Sequence, residues 1–210
     1  MGDIDSVTRR AEWIARRVDL RSDGQVHGHS WRTAALMRLM IVALGVADPD
    51  AYLWPLGMLV HDTGKLWVAR ETLHHPGPLS PEQTREMWHH PVRGREELLR
   101  LAVRHPTEAH AWEVAAAVAA GHHERPDGLG YPRGLRGDEV PLALRLARAC
   151  DVYDALTSDR AYHRGRQPAE ALRVMQGMGG FDEAHLDALA EVAHWRGGGG
   201  WRPLAPVPAD

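Results

Sequence analysis

The sequence predicts an all-α protein, and three observations carry that reading. Apolar residues recur at helical spacing through most of the 210 residues. No segment alternates apolar and polar residues with the period of two that a half-buried strand needs, and no hairpin signal separates β-rich runs. Glycine, proline and capping residues fall where helices start and stop.

Helices are expected over 5–20, 29–45, 50–62, 80–101, 108–123, 141–157, 168–178 and 182–195. The first lies in an N-terminal extension, residues 1–25. The second opens at His29 and stops at Gly45, where glycine suits a C-cap. Asp48-Pro49 precedes the third, an apolar run ending in His61-Asp62. Ser80-Pro81-Glu82-Gln83 combines an N-cap, a proline at the first helical position and a capping-box glutamine. Gly121 closes the fifth helix, Asp127-Gly128 is a turn after it, and Val140-Pro141 opens the sixth. The last two helices complete one domain over 26–195. The remainder, RGGGGWRPLAPVPAD (196–210), cannot build a core and reads as a disordered tail.

Composition narrows the function. A net charge of −3 with no basic block leaves no electrostatic footprint for DNA. No stretch approaches 18 apolar residues and no apolar leader opens the chain, so no membrane association and a cytoplasmic location are expected. The single cysteine, Cys150, excludes a disulfide framework and a thiolate metal cage. Fourteen histidines exceed what a core needs, and Lys65 is the only lysine among 25 basic residues.

Five places carry chemistry. His61 and Asp62 end an apolar helix, where polar neighbours are costly unless bonded or bound to metal. His29 begins an amphipathic helix. Asp151 and Asp154 sit three apart on one face of an otherwise apolar helix, a pattern that calls for a cation. His89 and His90 are adjacent, so only one faces inward. His122 and His123 precede the glycine- and proline-rich loop RPDGLGYP. Facing helices of a bundle commonly share such ligands. Five histidines and two aspartates, one of them bridging, make eight bonds. A bridging water or hydroxide brings the total to ten of about twelve positions around two octahedral ions. All-nitrogen-and-oxygen ligation suits iron or manganese better than structural zinc, and the pattern is that of a two-metal hydrolase.

HDTGK (61–65), HHERPDGLGYPRGLRGDEVP (122–141) and DVYDALTSDRAY (151–162) resemble the three signature blocks of HD-GYP proteins, a branch of the HD metal-dependent phosphohydrolases. The resemblance covers residues 26–165 and implies an HD-type helical bundle with a dinuclear metal site in its core. It implies a cyclic di-GMP phosphodiesterase that yields linear pGpG and, in some members, GMP, by hydroxide attack on phosphorus. His29, His61, Asp62 and Asp151 would hold one metal; Asp62 would bridge to a second held by His90, His122 and His123. This selects His90 over His89. Asp62 and Lys65 would be catalytic, with Lys65 and Arg160 on the substrate's phosphates and Gly130, Tyr131 and Pro132 lining the pocket. Glu124 and Asp154 would orient the ligands.

Some members carry a third metal on a glutamate four residues before the first histidine; Gln25 stands there, so two metals are expected. His163 stands where a basic residue is common, which bears on the second phosphate contact. Trp13, Trp54 and Trp112 are expected in the core, whereas Trp67 and Trp88, beside the motifs, are candidates for stacking on guanine. His74, His75, His105, His110, His163, His185 and His194 are expected at the surface. Competing readings are hydrolysis of another cyclic dinucleotide, or a signalling module that binds cyclic di-GMP or docks diguanylate cyclase domains through the GYP loop. The helix before His29 is a candidate homodimer contact. The residues before it are too few for a sensor domain, which fits a stand-alone enzyme or a piece of a longer regulator.

Overall fold

The protein is described here by a computed structural model covering residues 4–22, 28–159 and 164–193. The chain forms α1 (Ile4–Arg21), α2 (His29–Ala43), α3 (Trp54–Leu59), α4 (Arg70–Leu73), α5 (Pro81–Trp88), α6 (His90–Arg104), α7 (Ala109–Gly121), α8 (Leu142–Thr157), α9 (Pro168–Met178) and α10 (Glu183–Ala193). Short 3-10 turns span Ala51–Leu53, Thr63–Trp67, Pro106–Glu108 and Gly137–Glu139. Among the described residues there is no strand, only one isolated bridge between Asp127 and Arg136. The all-α expectation holds.

Helices α2, α3, α6, α7 and α8 pack around one core in which Met37, Met40, Met58, Leu98, Trp112, Leu146 and Tyr153 are fully buried. Helix α1 contributes Val7, Ala11, Ile14 and Val18 to that same core. It also caps its neighbour. Gly28, before α2, has a φ of 85° and no side chain of its own to cap with. The buried Asp19 carboxylate of α1 accepts from Gly28 N at 3.0 Å and Ser30 Oγ at 2.9 Å instead. Residues before 26 therefore fix the start of the helix that carries His29.

Two expected helices are broken, each for a visible reason. The 50–62 segment divides into a 3-10 turn and α3, which ends when side chains compete for its carbonyls. His61 Nδ1 donates to Met58 O at 2.6 Å and Thr63 Oγ1 to Val60 O at 2.7 Å. The 80–101 segment breaks between α5 and α6 because Pro91 has no N–H and its ring excludes a helical carbonyl four residues back. The capping box at Ser80 and Gln83 forms as expected. Two placements differ from expectation. Trp13 is exposed, with the Arg17 guanidinium 4.7 Å from its ring centroid, because α1 turns that face outward. His185 is buried, its Nδ1 3.2 Å from an Asp182 carboxylate that makes burial tolerable. Trp54 and Trp112 are buried as expected. The tail 196–210 and His194 lie outside the described residues.

Candidate metal centre

Three histidines reach the core by one local device. His61, His90 and His122 each follow a helical turn, and each donates its Nδ1–H to the carbonyl three residues back. The distances are 2.6 Å to Met58, 2.7 Å to Met87 and 2.9 Å to Ala119. A carbonyl only accepts, so the proton is fixed on Nδ1 and the Nε2 lone pair faces inward. His29 follows the same logic with a carboxylate: its Nδ1 is 2.8 Å from Asp154 Oδ2. Arg32 holds the other end of Asp154, with Nε 2.6 Å from Oδ1 and Nη2 2.9 Å from Oδ2.

The inward Nε2 atoms meet in pairs, His29 with His61 at 3.3 Å and His90 with His122 at 3.2 Å. Asp62 lies between the pairs with one oxygen toward each. Oδ2 is 3.9 Å from His29 and 3.6 Å from His61. Oδ1 is 3.3 Å from His90 and 3.8 Å from His122, and it is buried without a hydrogen-bond partner. Asp151 repeats the pattern: Oδ1 is 3.3 Å from His29 and 3.8 Å from His61, and Oδ2 is 3.9 Å from His123 Nδ1. Ligand atoms of His29, His61 and Asp62 lie within 4.8 Å of one another, as do those of His90, His122 and His123.

Electrostatics follow from burial and these neighbours. Burial drives His61 below its ordinary value, takes His122 well below it, and lowers His123 to about 3. Burial also opposes charge on His29, but Asp151 and Asp154 outweigh it and raise that group to about 9. Burial raises the Asp62 carboxyl, yet Lys65 and the histidines hold it well below the usual carboxylate range. Asp151 is held down in the same way, chiefly by His29. Lys65 Nζ sits 2.5 Å from Asp62 Oδ2, at the rim of the cluster.

Close approach requires glycine at two points. A Cβ on Gly64 would lie 1.9 Å from His90 O, so the turn carrying Asp62 can rest against the start of α6 only without one. A Cβ on Gly130 would lie 2.6 Å or less from backbone at Arg125, Glu124 and His123. The loop after His123 is held by the buried Glu124, whose carboxylate accepts from Arg133 N at 2.7 Å and Leu135 N at 3.0 Å. Tyr131 stacks on His123 with ring centroids 4.6 Å apart, and Trp88 stacks on Tyr131 at 5.1 Å.

The model of the HD domain family matches residues 14–187. The chain belongs to the HD domain family. Its three sequence blocks are those of the HD-GYP branch, and curated relatives agree. A cyclic di-GMP phosphodiesterase of Pseudomonas aeruginosa is 36% identical over 171 residues, covering 81% of this chain and 40% of that protein. A 3′3′-cGAMP-specific phosphodiesterase of Vibrio cholerae is 34% identical over 149 residues, covering 71% and 31%. An HDG"Y"P protein from Bdellovibrio bacteriovorus superposes with a TM-score of 0.63 at 20% identity, over 91% of this chain and 65% of that one. The chain thus spans less than half the length of these curated relatives.

Within this HD domain the structure gathers His29, His61, Asp62, His90, His122, His123 and Asp151 in one cluster, with Lys65 and Tyr131 at its edge. His89 is turned away, its Nδ1 bonded to Arg85 O at 2.9 Å on the surface. Asp154 is bonded to His29 Nδ1 rather than turned into the cluster. Glu124 instead anchors the loop, because its two oxygens are taken by backbone amides. Arg160, with Gln25 and His163, lies outside the described residues. Asp19 and Arg32 were not singled out by sequence. A lone acid in α1 and one arginine among many carry no local signal of the contacts that the fold gives them.

Proposed function

We propose that this HD domain is a metal-dependent phosphodiesterase that hydrolyses cyclic di-GMP to linear pGpG, and to GMP where cleavage continues. One observation carries the reading. The Nε2 lone pairs of the buried His90 and His122 face each other at 3.2 Å beside an Asp62 oxygen that has no hydrogen-bond partner, and the His61 Nε2 lone pair opens on the other side of the same carboxylate. Lone pairs facing lone pairs in a buried site are unfavourable unless cations lie between them. The donor set therefore fits divalent metal, in two groups joined by Asp62. His29, His61, Asp151 and Asp62 would hold one ion; His90, His122, His123 and Asp62 would hold the other. Nitrogen and oxygen donors without thiolate favour iron or manganese.

When bound, such ions acidify a water and polarise a phosphoryl oxygen. The remaining work belongs to the chain. Asp154 and three backbone carbonyls fix the imidazoles in the tautomer that coordinates. Lys65 brings a mobile point charge to the rim, where it would meet charge developing on the phosphoryl group. Arg160 is assigned to the second phosphate, and Gly130, Tyr131 and Pro132 to the pocket wall.

The relative named for 3′3′-cGAMP supports a second reading, in which a mixed cyclic dinucleotide is the preferred substrate. The deciding experiment offers metal-loaded protein cyclic di-GMP, 3′3′-cGAMP and cyclic di-AMP side by side and compares kcat/KM. A clear preference for cyclic di-GMP supports the first reading. A preference for 3′3′-cGAMP replaces it with the second, and no turnover of any of the three removes both.

A further inference from the structure

Trp88 and Trp67 are both large, half-exposed aromatics beside the site motifs. Single exposed tryptophans need no explanation in themselves. What separates the two is continuity with the metal centre. Trp67 joins no ring stack among the described residues. Trp88, the last residue of α5, lies nearly parallel to Tyr131, with 18° between the rings and centroids 5.1 Å apart. Tyr131 in turn lies 28° from the plane of His123, at 4.6 Å. His123 shares the ligand cluster of His90 and His122. Three flat rings thus form a ladder that starts at the metal-binding cluster and ends in solvent.

The ladder's geometry restricts what its outer rung can do. Tyr131 covers one face of Trp88, and the residue remains about half exposed, so the surface left to a ligand is that away from Tyr131. The abrupt end of α5 sets where the ring stands. Pro91 forces the break there, and the next helix starts two residues after Trp88. A rigid, flat, half-solvated indole beside a phosphate-handling site is suited to a heterocyclic base, whose π-face stacks without needing hydrogen bonds.

We infer that the open face of Trp88 seats one purine base of the substrate. This rests on the phosphodiesterase reading of the adjoining cluster. It adds a specificity-determining contact on α5, outside the three sequence blocks. Stacking on a larger ring system is stronger, so the platform favours purine over pyrimidine dinucleotides. It acts mainly on binding rather than on the chemical step.

The test compares wild type, Trp88→Ala and Trp88→Phe, all loaded with Mn(II), with cyclic di-GMP and cyclic di-UMP as probes. Stopped-flow measurements before turnover give Kd, and product analysis of the same mixtures gives kcat. Alanine should raise Kd for cyclic di-GMP by roughly tenfold or more. The purine-to-pyrimidine affinity ratio should shrink, and phenylalanine should restore most of it. Unchanged Kd in Trp88→Ala overturns the platform. So does an equal loss for both ligands, which is what simple support of Tyr131 would give. Binding is read separately from cleavage, so a wild type that binds without turnover sinks the phosphodiesterase reading while the Kd comparison still decides the role of Trp88. The side chain is half exposed, and thermal melts should show all three proteins equally folded.

Discussion

Asp154 is never placed to touch metal or substrate, yet the orientation of His29 depends on it. Its carboxylate fixes the Nδ1 proton of His29 and is itself clamped by Arg32. Orienting partners of this kind commonly contribute ten- to hundredfold to metal affinity. Asp154→Asn should therefore bind Mn(II) roughly tenfold or more weakly in equilibrium dialysis while leaving the fold intact. Unchanged affinity would mean that His29 needs no such orientation. The proton balance of the same residue gives a second prediction. With its pKa raised to about 9 in the metal-free protein, His29 carries a proton at neutral pH that must leave when metal binds. Titration calorimetry in buffers of different ionisation enthalpy should show proton release on metal binding, and apparent affinity should rise with pH up to about 9. Binding without proton release at pH 7 would contradict the assignment of His29 as a ligand.

Among the elements, the turn Thr63–Trp67 and the start of α6 touch where only glycine fits. Gly64→Ala would drive a methyl group into the His90 carbonyl. It should cost about 3 kcal/mol or more in denaturant unfolding, at the upper end for overpacking, and displace Asp62 from the histidines. A variant as stable and active as wild type would show that the two elements are not so close. Much of this organisation was legible in the sequence. Five of the seven cluster residues, His61, Asp62, His122, His123 and Asp151, fall in the sequence blocks, and His29 and His90 were assigned through the family resemblance that the blocks carry. The break between α5 and α6 was not foreseen, although Pro91 was visible. Proline near a helix start is tolerated, so spacing alone cannot tell a first turn from an interior kink. The recurring bond from a histidine Nδ1 to the carbonyl three residues back was also hidden, because it depends on where each helix ends. Trp13 and His185 were misplaced for a related reason. Hydrophobicity and charge give a preference for burial, while the face that a helix presents is set by its neighbours.

For the whole molecule, the buried imidazoles set the pH range of the metal-free fold. His61, His122 and His123 titrate below their ordinary value of 6.5. They favour the fold fully above that value, and the contribution is lost as pH falls, continuing toward about 3 for His123, because the unfolded chain takes up protons that the fold refuses. His29 has the opposite sign: its contribution is complete below 6.5 and is lost as pH rises through about 9. Urea unfolding of chelator-treated protein should therefore show greatest stability near neutrality. The acid limb should be the steeper, since three histidines act there against one on the alkaline side. A flat profile between pH 5 and 9 would contradict the burial of this cluster.

On the proposed function, the cluster holds two metals and cleaves a cyclic dinucleotide. Its most direct test loads wild type and His123→Ala anaerobically with Fe(II) or Mn(II), counts bound metal per chain, and resolves the products of cyclic di-GMP by chromatography. Wild type should bind two ions and release pGpG or GMP, with one ion lost or weakened and turnover abolished in the variant. Wild type that binds both ions and releases neither product, or His123→Ala that turns over as wild type does, would contradict it.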